Sequence, residues 1–428
     1  MQKENNTDKQ NDGPIEPSKN HWAISIDNDS DKHGFIIDCL GGRCTGELAI
    51  FNSLTGAVFS KLALEKLIDE ESRHGSLRIT EGSDQSLLSM SSGEQKKLLL
   101  KHILSSGPDY IILDNPYDNL DKGTQVELRA LLQKLANTTI CIQLMSRSND
   151  LLPFIDKHAF LNKKTLVPKA RTISYKSIDQ PKHSIAIPTP LSTINYEHKT
   201  LISMKDVNVS YGDKKVLNKI SWEVKRGEFW ELSGNNGSGK TTILSMITGE
   251  NPKGYGQDLF LFGYQKGSGE SVWDIKRHIG YFTPSMTDKF TGYHSVEHMM
   301  ISGILDSVGL YVKPTEAQLR IAREWLLAIN MWHLRDRYFH DLTMGQKRLI
   351  MTTRAMIKHP LVLILDEPTA GLDDTSAALL VSLVNRIAKE SDTSIIFVSH
   401  RTEAGLKPQF RFTLTTSGHG STGNVTPG

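Results

Sequence analysis

The chain has 428 residues, enough for two domains, and its 38% hydrophobic content suffices for globular cores. With 50 Lys and Arg against 48 Asp and Glu, the net charge of +2 argues against a surface built around a nucleic-acid backbone. No apolar run approaches the about 18 residues of a membrane span, the polar start Met1-Gln-Lys-Glu lacks a signal-peptide core, and Cys39, Cys44 and Cys141 show no metal spacing and read as reduced thiols.

In chain order, residues 1–17 are polar and read as disordered. A first domain is expected over 18–162, where Trp22-Ala-Ile-Ser-Ile26 and Ile111-Ile-Leu are short apolar runs. Residues 163–199, holding Pro168, Pro181, Pro188 and Pro190, read as a linker. A second domain is expected over 200–415, with residues 416–428 as a flexible tail. Within it, Glu228-Phe-Trp-Glu-Leu-Ser233 predicts a strand and Thr242-Ile-Leu-Ser-Met-Ile-Thr248 a helix. Glu316 to Ile329 predicts a core-facing helix, with Leu319, Ala322, Trp325, Leu326 and Ile329 at helical spacing. Leu361-Val-Leu-Ile-Leu365 and Ile395-Ile-Phe-Val predict buried parallel strands.

Between the strand and the helix of the second domain lies the most informative stretch. Gly234, Asn235, Asn236, Gly237, Ser238, Gly239, Lys240 and Thr241 fit the phosphate-loop pattern G-x-x-x-x-G-K-[ST], followed by Thr242. The glycines let backbone N–H groups turn inward onto phosphate oxygens. Lys240 is placed to reach the β- and γ-phosphates, and the Thr241 hydroxyl to ligate Mg²⁺. The helix that follows points its N-terminus at the anion. Downstream, Asp366 closes an apolar strand and suits the Mg²⁺ shell. Glu367, one residue on, is placed to orient or deprotonate water.

Further pieces carry a family resemblance. Leu342-Thr-Met-Gly-Gln346 resembles the LSGGQ signature of ABC ATPases, and Gly371-Leu-Asp373 resembles their D-loop. His400 ends its strand like their switch His, and Tyr211 matches the aromatic on which adenine stacks. The order over 201–412 is similar to an ABC nucleotide-binding domain. The stretch Asp258–Tyr281 looks like tandem ModF-type proteins, a group named for molybdate transport and for photorepair. Taken alone, its Gly-Ser-Gly segment is a flexible loop. The family carries a Gln after the strand Ile279-Gly-Tyr-Phe282, where this chain has Thr283-Pro-Ser-Met286.

The first domain reads as an eroded copy of the second. Met90-Ser91-Ser92-Gly93-Glu94, Asp114-Asn115-Pro116 and Asn119-Leu-Asp121 each stand 252 residues before a counterpart, and Cys141–Arg147 matches the His400 strand at 253. The phosphate loop matches at 208, where Asp29, Asp31 and His33 replace Gly237, Gly239 and Thr241 and only Lys32 survives. Carboxylates there repel a polyanion. ModF-type proteins usually keep this loop. The offset change of 44 marks missing residues before the signature, in the span that holds the family's helical subdomain, and the adenine platform looks missing too.

The resemblance implies an α/β fold, with two P-loop NTPase domains of ABC type in tandem and the first shortened. In the family, such domains pair head to tail. One composite site then combines the ruined loop, Asn115, Arg147 and the Thr343-Met-Gly345 signature. The other combines Lys240, Thr241, Asp366, Glu367 and His400 with Ser91, Ser92, Gly93 and Glu94. Most losses fall in the first. The expected cofactors are ATP and Mg²⁺, with hydrolysis at one site. The expected place is the cytoplasm, at the inner face of a membrane if a permease partner exists. The alternatives are a soluble ATPase working on a nucleic-acid or protein complex, an ATP-binding switch with little turnover, and a homodimer through two second domains.

Overall fold

A computed structural model describes residues 20–74, 86–168, 186–192, 196–290 and 292–428. The expectation for 1–17 lies outside the described residues. The N-terminal lobe contains β1 (Trp22–Ser25), α1 (Lys32–Leu40), β2 (Gly56–Phe59), α2 (Lys61–His74), α3 (Ser92–Ser105), β3 (Tyr110–Asp114), α4 (Lys122–Leu135), β4 (Ile140–Met145), β5 (Lys157–Asn162) and β6 (Thr165–Pro168). The C-terminal lobe opens with β7 (Thr200–Tyr211), β8 (Lys214–Lys225), β9 (Phe229–Gly234), α5 (Lys240–Ile247), β10 (Asp258–Leu261), β11 (Tyr264–Gln265), α6 (Val272–Lys276) and β12 (Ile279–Phe282). It continues with α7 (Pro284–Lys289), α8 (Val296–Ser302), α9 (Glu316–Ala328), α10 (Met344–Met356), β13 (Val362–Asp366), α11 (Asp374–Glu390), β14 (Ser394–Val398), β15 (Phe410–Thr415) and β16 (Thr422–Pro427).

The two main sheets share one topology, β2-β3-β4-β1-β5-β6 and β12-β13-β14-β9-β15-β16. In each, five strands run parallel and the last is antiparallel. The central strands are apolar throughout because helices cover both faces, as β13 with Val362 to Leu365 all buried illustrates. Each sheet divides two apolar clusters, one against each face.

The shortening of the first lobe is split between two places. Lys240 to Ile279 spans 39 positions and Lys32 to Gly56 spans 24, so 15 residues are missing before the edge strand. The other 29 are missing between β2 and α3, where the described residues hold α2 against α7, α8 and α9 in the second lobe. The helical region therefore accounts for only part of the 44. Among the described residues the first lobe also has no counterpart of the antiparallel sheet β11-β10-β7-β8. In the second lobe that sheet packs Trp222 flat against Phe412, ring centroids 4.7 Å apart.

Two boundaries differ from the sequence reading. Residues 416–428 are not a loose tail: β16 pairs with β15 over six residues, Phe410 opposite Pro427. The first part of the expected linker belongs to the first lobe, since Thr165–Pro168 pairs with β5. The Gly-Ser-Gly loop is also held, by an ion pair of 3.0 Å between Lys266 and Glu270 whose side chains are 1% exposed. The α9 reading agrees, with Ala322, Trp325 and Leu326 buried.

Candidate functional site

Strand β9 delivers the loop and α5 takes it away. Gly239, the residue before α5, has φ +93°, and a Cβ there would lie 2.5 Å from Leu217 Cδ2. Gly234 has φ +150°, with a Cβ meeting Leu414 O at 2.9 Å. Both positions exclude side chains by conformation and by space. Gly237, at φ +75°, turns between them. Lys240 Nζ donates to Gly234 O (2.7 Å) and Asn235 O (3.1 Å), so the ammonium curls over its own loop. Burial holds its pKa below the usual lysine range, against the pull of Glu367 and Asp366. Ser238 is fully buried and its Oγ has no partner. A cavity of ≈ 690 Å³ opens at Lys240, Thr241, Thr242, Asp366 and Glu367.

The acidic groups stand at the end of β13. Burial, and then the neighbouring Glu367 charge, push the Asp366 carboxyl up to about 6. A buried carboxylate disfavoured in this way fits a place completed by a cation, and the Thr241 hydroxyl lines the same cavity. Glu367 has φ +51°, and its N–H donates to Val398 O at 2.9 Å. Its Oε1 lies 2.8 Å from His400 Nδ1, while His400 Nε2 is buried with no partner. One face of the imidazole is therefore fixed and the other is left for a ligand.

The N-terminal lobe closes over this loop. Asn236 N donates to Asp121 Oδ2 at 3.1 Å, and Asn236 Nδ2 reaches Asn119 O at 3.3 Å and Ser92 Oγ at 3.4 Å. Of the signature residues, Ser92 touches the loop. The Ser91 hydroxyl is turned into its own helix, accepting from Glu94 N and donating to Glu94 Oε2 in a capping box. Gly93 is buried, and a Cβ there would meet Thr124 Cγ2 at 2.6 Å.

The first-lobe loop has a different interior. Lys32 Nζ pairs with Asp114 at 3.0 Å, the counterpart of Asp366. Asp31 caps α1 through Gly34 N at 2.9 Å. Asn115 keeps the unusual backbone of Glu367, with φ +43°. Asn28 Nδ2 donates to Ser376 Oγ across the interface at 2.8 Å, and a Cβ on Gly345 would lie 3.1 Å from that nitrogen. The head-to-tail pairing therefore extends to both composite sites.

Strand register corrects one assignment. Asp114 lies opposite Leu144 and Asp366 opposite Val398, an offset of 254 along β4 and β14. The residue in the place of His400 is thus Ser146, not Arg147. Ser146 N and Oγ both donate to Asn115 Oδ1, at 2.9 and 3.1 Å. Arg147 matches Arg401.

Tyr211 ends β7 half-exposed, its hydroxyl accepting from Asn251 Nδ2 at 2.9 Å and Lys253 Nζ 5.7 Å from its ring centre. It lies outside the cavity lining, which does include Thr283 in the place of the family's Gln. Sequence reasoning missed Asp118 and Arg348, which also line the cavity. Asp118 stands one residue before the D-loop copy, a usable signal, whereas Arg348 carried none.

The ABC transporter family model matches residues 217–370. The ABC transporter ATP-binding protein ModF of Escherichia coli (strain K12) is 37% identical over 341 residues, covering 76% of this chain and 69% of that protein. The chain belongs to the ABC ATP-binding proteins. It is an ABC-type ATPase, and ModF is a relative along most of its length. An uncharacterized ABC transporter ATP-binding protein of Schizosaccharomyces pombe is 30% identical, over 74% of this chain and 66% of that one. In fold, 97% of the chain matches 76% of a chain in a model of ribosome-bound archaeal Pelota and ABCE1, with TM-score 0.64 and 15% identity. Among the described residues no helix is long and apolar enough to cross a membrane.

Proposed function

We propose that this ABC ATPase binds and hydrolyses one ATP per chain, at the composite site of the C-terminal loop and the N-terminal signature. The supporting observation is the contrast between the loops: Lys240 borders an open cavity, whereas Lys32 is paired with Asp114. Lys240 and the loop N–H groups hold the phosphates. Thr241 and Asp366 would hold Mg²⁺, which when bound would supply charge neutralisation for the phosphates. Glu367 orients and deprotonates the attacking water, its Oε1 held 2.8 Å from His400 Nδ1, and His400 contacts the γ-phosphate through Nε2. Ser92 and the α3 N-terminus close the site from the other lobe, and adenine stacks on Tyr211. Glu367→Gln is expected to bind ATP with parental affinity and to hydrolyse it at least 100-fold more slowly. Parental turnover in that variant would remove Glu367 from the chemistry.

Hydrolysis opens and closes the two lobes, and this motion drives an importer of a molybdate-like oxyanion, with the chain as the energising subunit on the cytoplasmic face of a permease. This reading leans on the ModF relationship and is tested by co-purification with a membrane protein. Thr283 in the place of Gln and the 29 residues missing from the first helical region favour a second reading, work on a cytoplasmic complex. ATPase stimulation by ribosomes or DNA, but not by membranes, distinguishes it.

A further inference from the structure

Two arginines stand at matching positions, Arg147 directly after Ser146 and Arg401 directly after His400, and each crosses the lobe interface. Arg147 Nη2 donates to Thr369 O at 3.2 Å and lies 3.6 Å from Glu403, with its other nitrogen 3.8 Å from Asp374. Arg401 is held more tightly. Its Nη1 contacts both oxygens of Asp150 at 3.0 Å, and its Nη2 lies 3.4 Å from Asp118. Asp150 is 6% exposed, on a turn fixed by Gln143 Nε2 donating to Asp150 O at 2.6 Å. A charge-assisted, mostly desolvated contact of this kind holds geometry better than a surface pair.

The other end of Arg401 is fixed as well. Its N–H donates to Ser399 Oγ (3.0 Å), and that hydroxyl donates to Arg401 O (2.9 Å). His400 therefore sits inside a turn whose far side is tied to the N-terminal lobe. Next along, Lys122 Nζ donates to Thr402 Oγ1 at 3.0 Å, a third crossing within two residues of the imidazole. His400 cannot change position against Glu367 without straining these contacts.

We infer that Arg401 is a positioning residue for the His400–Glu367 pair, anchored on Asp150 and Asp118, so that the eroded lobe sets the geometry of hydrolysis as well as supplying a signature helix. The inference rests on the proposed roles of Glu367 and His400. It gives the vestigial lobe a second task that needs no nucleotide of its own. Arg147, which reaches Glu403 and Asp374 from the first lobe, completes the clamp from the opposite direction.

The test uses the full-length protein and four variants, Arg401→Ala, Arg401→Lys, Asp150→Asn and the double Arg401→Ala/Asp150→Asn, with Glu367→Gln as reference. Equilibrium binding of ATP and steady-state turnover are measured for each. Arg401→Ala is expected to bind ATP within threefold of the parent while kcat falls at least tenfold. Arg401→Lys is expected to recover part of that loss. Asp150→Asn is expected to match Arg401→Ala, and the double variant to lose no more than either single. Parental kcat in Arg401→Ala or in Asp150→Asn overturns the inference, as do additive losses in the double variant or a fall in ATP affinity that accounts for the fall in turnover. If Glu367→Gln turns over like the parent, the reading of the site itself fails. If Glu367→Gln is inactive and Arg401→Ala is parental, only the positioning role fails.

Discussion

Asp366→Asn offers a quantitative check on the acidic end of the site. In the folded chain without ligand, burial and Glu367 raise the carboxyl from 3.8 to about 6. Below the unfolded value both states are protonated and the residue contributes no penalty. As pH rises through the window from 3.8 to about 6, the unfolded chain ionises first and stability is lost. Above it the penalty is constant. A shift of roughly two units corresponds to about 3 kcal/mol at pH 8 and about half of that at pH 5. Asparagine has the same shape and no charge, so Asp366→Asn is expected to stabilise the ligand-free protein by these amounts. For a lobe of this size that is a rise in melting temperature of roughly 6–12 °C at pH 8. Differential scanning calorimetry of the C-terminal transition at both pH values measures it. The same variant is expected to lose Mg²⁺-dependent turnover. An Asp366→Asn protein that melts at or below the parental temperature at pH 8 would refute the reasoning, because the carboxylate would then be stabilised by its surroundings.

Lys240→Ala is expected to lose ATP binding by at least 100-fold, whereas Lys32→Ala leaves affinity and turnover within twofold, as read by nucleotide titration. Gly239→Ala forces a Cβ to within 2.5 Å of Leu217 at φ +93° and is expected to cost about 1–3 kcal/mol in thermal unfolding. Gly93→Ser is expected to reduce turnover severalfold more than Gly345→Ser, since only Gly93 stands on the helix that closes the working site. Equal effects would favour pairing between two C-terminal lobes of different chains.

Much of this was legible because the informative residues are contiguous. The loop 234–242 announces itself through its glycines and lysine, and the constant offset of 252 exposes the repeat. The strand after β3 was misaligned by one residue because its end, Met145-Ser146-Arg147, gives no local cue to register. Only the pairing of Asp114 with Leu144 fixes the register, and it brings Ser146 to the Asn115 side chain. The sequence does not separate Ser91 from Ser92; the structure does, because an N-cap hydroxyl followed at the right distance by Glu94 folds back on its own helix, leaving Ser92 to reach the loop. The Arg401–Asp150 contact joins residues 251 positions apart, a separation at which no pattern in the chain points to a partner. The final strand lies in a polar stretch, Thr422–Pro427, with no apolar alternation to mark it, and the turn at Ser417–Gly420 lets it return along β15.

The bond between Lys32 and Asp114 also bears on reversibility. With Lys32 held by Asp114, the loop has no need of glycines that admit a phosphate, and Asp29 and Asp31 stand in two of their places. Restoring the old pocket would need the removal of Asp29 and Asp31, a hydroxyl in place of His33 and a new platform for the base, none of which helps alone. The loop now carries other contacts, since Asn28 bonds Ser376 of the second lobe and Asp31 caps α1, and a glycine at position 31 would give up that cap.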